Sequence, residues 1–177
     1  HHRRRIGARG QGPAGQAGFS LVELIAVVVI LGAVTASAVP RYIDVVEEAH
    51  RSEVAMIAGS FHSAVVLANA GCIVLDYAGR DNLGIFGAAN LDFNANCFPS
   101  ATGGSNNLNV NNGRCVQVWN GILQPAPTVS APVNDDTDFR AQGSGTVCTY
   151  TYRDDDDTLR RFTYNAANGQ VRVMSNP

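Results

Sequence analysis

The chain has 177 residues and a formal charge of −2, with 13 basic residues against 15 acidic ones and 45% hydrophobic side chains. That length suits one domain beside a long helix. The charge argues against nucleic acid as a main partner, because phosphate binding needs concentrated positive charge. All the basic residues are arginine, for which the sequence offers no physical account. The chain opens on His1 rather than Met, so its recorded start is expected to be trimmed or misassigned.

Residues 1–18 are glycine-rich and carry Arg3, Arg4, Arg5 and Arg9 with no acid. From Phe19 to Val39 the side chains are apolar or small except for Ser20, Glu23, Thr35 and Ser37. About 20 residues rising ~1.5 Å each cover the ~30 Å hydrocarbon core of a bilayer. The basic flank is expected on the cytoplasmic side and the chain after Val39 outside. A secretory signal has a shorter apolar core with small residues after it. Here Ala17 and Gly18 precede it. Glu23 stands out, since an ionised carboxylate in hydrocarbon costs on the order of 3 kcal/mol and calls for a partner or a raised pKa.

The stretch Gly18-Phe19-Ser20-Leu21-Val22-Glu23-Leu24-Ile25 resembles the class III signal of type IV pilins and type II secretion pseudopilins. The resemblance extends over about residues 15–68, with Gly32 and Pro40 at the family's helix-weakening positions. It implies cleavage between Gly18 and Phe19 by a membrane-embedded prepilin peptidase, N-methylation of Phe19, and Glu23 as the acid of the assembly helix. Losing the leader arginines would take the formal charge from −2 to −6. Tyr42-Ile43-Asp44-Val45, Ser63-Ala64 ahead of Asn69, and Cys148-Thr149-Tyr150 followed by Tyr164-Asn165 look most like mannose-sensitive haemagglutinin pilins. The implied partners are copies of the chain itself in a helical homopolymer, the peptidase, an inner-membrane assembly platform and minor pilins. The implied location is the inner membrane before assembly and a surface fimbrium afterwards.

A free amine at Phe19 is hard for Glu23 of the same intact helix to reach, whereas a neighbouring subunit's Glu23 meets it readily. This pair is expected to set axial register. Gly32 loosens the backbone and Pro40 removes the amide that would bond to Ala36, so a kink near Pro40 and local melting in a filament are expected.

Beyond Pro40 the residues Ile43, Val46, His50, Val54, Ile57, Phe61, Val65 and Ala68 recur every three or four positions. This is an amphipathic helical stripe. Asn69-Ala70-Gly71 predicts a stop, with Gly71 at the left-handed position, so the helix should run from about 19 to 70. Residues 80–113 read as turns and loops. Strands are expected at Cys115–Trp119, Thr146–Tyr152, Leu159–Tyr164 and Gln170–Met174, the last three joined as hairpins through 153–158 and 165–169. The predicted architecture is α+β: a long N-terminal helix packed on an antiparallel sheet of three or four strands, the pilin fold. The divisions are 1–18 leader, 19–40 membrane and assembly helix, 41–70 amphipathic helix and 71–177 β-rich domain.

Cys72, Cys97, Cys115 and Cys148 lie in the exported part, where an oxidising compartment favours two disulfides. Three pairings are open. Cys72 with Cys97, closing the loop after the helix, and Cys115 with Cys148, joining two strands, is the favoured one. A zinc site is disfavoured because no CxxC pair is present. No cofactor is expected, with calcium the one candidate: Asp154, Asp155, Asp156 and Asp157 form either a hard-oxygen site or a solvated hairpin tip flanked by Arg153, Arg160 and Arg161. Asp135, Asp136 and Asp138 read the same way. His50 and His62 have no acid or serine at fixed short spacing, so no enzyme is expected. Trp119, Tyr150, Tyr152 and Tyr164 read as sheet packing or intersubunit contacts, with an adhesin or lectin role open. The reading is a type IV pilus subunit; the alternatives are a type II secretion pseudopilin and a single-pass anchored binding domain that never polymerises.

Overall fold

The computed structural model describes residues 18–88, 90–131, 136–154 and 160–174, apart from the Pro40 side chain. The chain divides into two units, His1–Asp44 and Val45–Pro177. In order, the elements are α1 (Leu21–Val74), β1 (Asp92–Phe93), β2 (Pro99–Ala101), α2 (Asn112–Ile122), β3 (Val129–Ser130), β4 (Phe139–Ser144), β5 (Val147–Tyr152), β6 (Arg161–Asn165) and β7 (Val171–Met174).

In the first unit, α1 presents a continuous apolar surface to solvent from Leu21 onward, and the helix continues through Gly32 and Pro40. Its hydroxyls turn back on their own backbone. Thr35 Oγ1 donates to the Leu31 carbonyl at 2.9 Å and to the Gly32 carbonyl at 3.0 Å, and Ser37 Oγ donates to the Val34 carbonyl at 3.0 Å.

In the second unit, the predicted stripe is buried from Val54 onward. Val54, Ile57, Phe61, Val65 and Ala68 lie inside, Val46 and His50 are half-buried, and Ile43 is exposed. The helix passes the expected stop at Gly71 and ends at Val74. It closes in a Schellman turn: the Tyr77 amide donates to the Cys72 carbonyl at 2.9 Å and the Asp76 amide to the Ile73 carbonyl at 3.2 Å, with Asp76 in the left-handed region at φ 52°. Gly71 has another purpose. A Cβ there would stand 2.1 Å from Cε2 of Phe86, so the missing side chain admits that ring.

The sheet is five-stranded in the order β3-β4-β5-β6-β7, antiparallel except for β3 with β4. Alternation along β5 sends Cys148, Tyr150 and Tyr152 inward and leaves Val147, Thr149 and Thr151 half-buried. Gly145, at φ 57°, makes the turn between β4 and β5. Phe61 of α1 lies in the middle of the core, its ring 5.4 Å from Tyr150, 5.4 Å from Tyr164, 5.6 Å from Phe162 and 6.2 Å from Trp119.

Cys115–Trp119 is helical rather than a strand. Asn111 caps α2 by accepting the Arg114 amide at 2.9 Å, and Cys115, Val118, Trp119 and Ile122 share its buried side. Their spacing of three, one and three is the helical period, which a five-residue window cannot distinguish from alternation. The sheet has five strands because neither β3 nor β4 was expected: β3 is two residues long, and the Arg, Gln, Gly and Ser content of β4 masks the alternation of buried Phe139 and Ala141. The loop-rich stretch 80–113 contains the short antiparallel pair β1–β2. It is tied down by buried Asp92, whose carboxylate accepts the amides of Asn82, Gly104 and Ser105 at 2.9, 2.7 and 3.0 Å. Three backbone donors satisfy a carboxylate that burial would otherwise penalise.

Two disulfides close this unit, Cys72–Cys97 and Cys115–Cys148, with Cα separations of 5.6 and 5.5 Å. The second joins α2 to β5 rather than two strands.

Candidate assembly site

Ser20 begins α1 and caps it. Its Oγ accepts the Glu23 amide at 3.3 Å and its carbonyl accepts the Leu24 amide at 3.1 Å. Ser20-Leu21-Val22-Glu23 thus has the spacing of a capping box. The reciprocal bond from the carboxylate is not made, and the Glu23 carboxylate has no hydrogen bond or ion pair among the described residues. Since Thr35 and Ser37 are satisfied by their own helix, Glu23 is the polar side chain of this segment that still calls for a partner.

Gly18 and Phe19 precede the cap outside any helix or strand, with Phe19 89% exposed. Nothing approaches the Gly32 position within 4 Å. Leu21, Val22, Leu24, Ile25 and the run Val27–Leu31 are each about half exposed or more. By length and composition α1 is apolar enough to cross a membrane, and its most apolar stretch has no residue buried.

These features agree with the comparisons. Residues 13–39 match the family model described as the prokaryotic N-terminal methylation motif. Over this N-terminal stretch the chain is similar to type IV pilin family proteins. It is 41% identical over 51 residues to the type IV narrow pilus major component PilA5 of Thermus thermophilus, a stretch covering 29% of this chain and 44% of that protein. The chain therefore spans less than half the length of the curated relative it matches. No solved structure matches.

Elsewhere in the chain, sequence reading missed a series of linked side chains between α1 and β5. The Tyr152 hydroxyl donates to Glu53 Oε2 at 2.8 Å, and His50 Nδ1 stands 3.0 Å from the same hydroxyl, with the two rings 5.5 Å apart. Because the tyrosine proton is directed to Glu53, the His50 nitrogen supplies the other proton. Burial, and after it the Glu53 carboxylate, raises the Tyr152 phenol well above its ordinary value. No local signal joins residues 99 positions apart. The Ser20–Glu23 cap, by contrast, was findable from its spacing.

Trp119, Tyr150, Tyr152 and Tyr164 are all buried, which overturns their offer as surface contacts or a lectin platform. Trp119 donates to the Pro127 carbonyl at 2.8 Å, Tyr150 to the Cys115 carbonyl at 2.9 Å and Tyr164 to the Pro99 carbonyl at 2.8 Å. His62 is exposed. Of the calcium candidates, Asp154 is exposed, while Asp155, Asp156 and Asp157 lie outside the described residues, as does Asp135. Asp138 accepts both the amide and the hydroxyl of Thr128 at 2.8 Å. Among the described residues no group of three or more His, Cys, Asp or Glu is placed to hold a metal.

Proposed function

We propose that this chain is a structural subunit of a type IV pilus, assembled through its hydrophobic N-terminal helix. A prepilin peptidase cuts between Gly18 and Phe19, removing 1–18, and Phe19 is N-methylated. The new amine pairs with Glu23 of a neighbouring subunit as the helix leaves the bilayer for the filament core. The observation that carries this reading is the apolar half of α1, with no residue buried in its most apolar stretch and, in its first turn, a carboxylate with no partner among the described residues. Burial of such a surface against copies of itself is favourable at about 25 cal/mol per Å² removed from water. The partners are further copies, the peptidase, an assembly platform and minor pilins, and the sites are the inner membrane and then the cell surface.

Gly32 and Pro40 mark where the helix is expected to extend within the filament. The Ala36 carbonyl lacks the amide that Pro40 cannot supply, and no side chain packs on Gly32. A filament map with continuous helix through 32–40 refutes this part.

Intact-mass measurement of native protein is the first test, and a chain beginning at methylated Phe19 is expected. Glu23→Ala should then leave processing intact and abolish sheared filaments. Normal filament yield from that variant overturns the role of Glu23. Accumulation in the cell envelope rather than in the sheared fraction would instead identify a pseudopilin, and an uncleaved monomer an anchored domain.

A further inference from the structure

The inward side of the five-stranded sheet is aromatic and its outward side is cationic. Strand register sets Arg140, Thr151 and Arg161 side by side on β4, β5 and β6, and sets Thr149, Thr163 and Arg172 in the adjoining row on β5, β6 and β7. Strands β3 to β7 contain no Asp or Glu. The side chains of Arg140, Arg161 and Arg172 make no hydrogen bond or ion pair among the described residues, where the ion pair joins Arg51 to Glu48 on α1. Arg140 Nε is moreover buried without an acceptor. A chain whose charge is negative overall thus places on one hydroxyl-lined face three guanidinium groups without a partner among the described residues, Arg172 exposed and Arg140 and Arg161 half-buried.

We propose that this face binds an acidic polysaccharide, a glycan whose carboxylates meet the arginines and whose hydroxyls meet the threonines between them. A guanidinium fork holds a carboxylate through two parallel hydrogen bonds, which suits a carboxylated sugar better than a lysine would. With strands ~4.8 Å apart, Arg140 and Arg161 straddle Thr151 at about 10 Å, leaving room for a sugar ring over the threonine. Nucleic acid fits less well. Tyr150, Tyr152, Phe162 and Tyr164 all point inward, so the outer face has no aromatic side chain for bases to stack on. Among the described residues, Asp154 lies beyond the end of β5 and the Asp138 carboxylate is already engaged by Thr128. The inference rests on the reading that this domain is displayed outside the cell.

Full-length processed protein in mild detergent is tested for binding to polygalacturonate, with dextran and duplex DNA as the other arms. Salt-sensitive retention on polygalacturonate alone is expected, and R140Q/R161Q/R172Q should weaken it about tenfold or more with an unchanged melting temperature. If the triple variant fails to fold, Arg172→Gln on the exposed edge strand should still weaken binding about threefold. Absence of binding, equal binding by the variants, or tighter binding to DNA overturns the proposal. So does a triple variant that assembles no filaments but retains polygalacturonate, because the face is then a contact between copies. Binding is read on unassembled protein, so a failure to form filaments leaves this measurement intact.

Discussion

The hydroxyl of Tyr152 on β5 donates to the carboxylate of Glu53 on α1 at 2.8 Å, bridging 99 positions of sequence at the point where the helix stripe becomes buried. Tyr152→Phe removes this bond and leaves Glu53 and His50 without their shared partner. A hydrogen bond to a charged group contributes ~1.5–3 kcal/mol, so urea unfolding of the variant should show a loss near the lower end, given that Glu53 is only half-buried. No change in the urea midpoint would mean the bridge is not formed in solution.

Alkaline pH should unfold the domain through its buried phenols. Burial raises Tyr150 and Tyr164 well above the ordinary tyrosine range, and burial with Glu53 does the same to Tyr152. A raised folded value means that the protonated form is favoured by folding. The stability is therefore fully present below the unfolded value of about 10 and is lost as pH rises beyond it. Each of Tyr150 and Tyr164 should contribute a fall of up to ~1.4 kcal/mol per pH unit there. Denaturation followed by tyrosinate absorbance checks this, and a flat stability curve from pH 9 to 12 contradicts it.

Phe61 makes ring contacts with the sheet and with α2, so truncating it should cost more than truncating any exposed residue of α1. Phe61→Ala is expected to lose ~3–5 kcal/mol, whereas Met56→Ala, at 67% exposure, should lose almost nothing. Paired urea titrations decide it, and comparable losses would mean the helix does not dock through Phe61.

Gly71 and Phe86 should be coupled. In an open helix, Gly to Ala gains about 1 kcal/mol of propensity. Here the added methyl meets the Phe86 ring, and overpacking of that kind costs ~1–3 kcal/mol. Gly71→Ala is therefore expected to destabilise the parent and to stabilise a Phe86→Ala background. The same sign in both backgrounds in a double-mutant cycle refutes the packing account.

Each disulfide should contribute ~3 kcal/mol by restricting the unfolded chain. Non-reducing peptide maps should recover Cys72 with Cys97 and Cys115 with Cys148. The double Cys115→Ser, Cys148→Ser variant should lower the midpoint by a comparable amount.

Reading from sequence succeeded where the cause is local and repeated. The apolar run with Glu23 in it, the stripe from Val54 to Ala68, and the alternation of Cys148, Tyr150 and Tyr152 are each written in consecutive residues, because burial on one side of a helix or strand imposes a period of 3.6 or 2. Spacing also carried the Ser20–Glu23 cap, although that signal was overlooked. It failed at Cys115–Trp119, where a short apolar run fits both periods and the decision came from Asn111 capping the segment and from Trp119 and Ile122 finding the same interior.

Membrane-length hydrophobicity, the match to the N-terminal methylation motif and the α+β class were thus determined by the chain taken residue by residue, since each depends on near neighbours. The position of Phe61 among four rings, the Tyr152–Glu53 bridge, the opening that Gly71 leaves for Phe86 and the gathering of Arg140, Arg161 and Arg172 on one face were decided only by the tertiary structure. Each joins residues that the chain keeps far apart, and only strand register and helix docking bring them within reach.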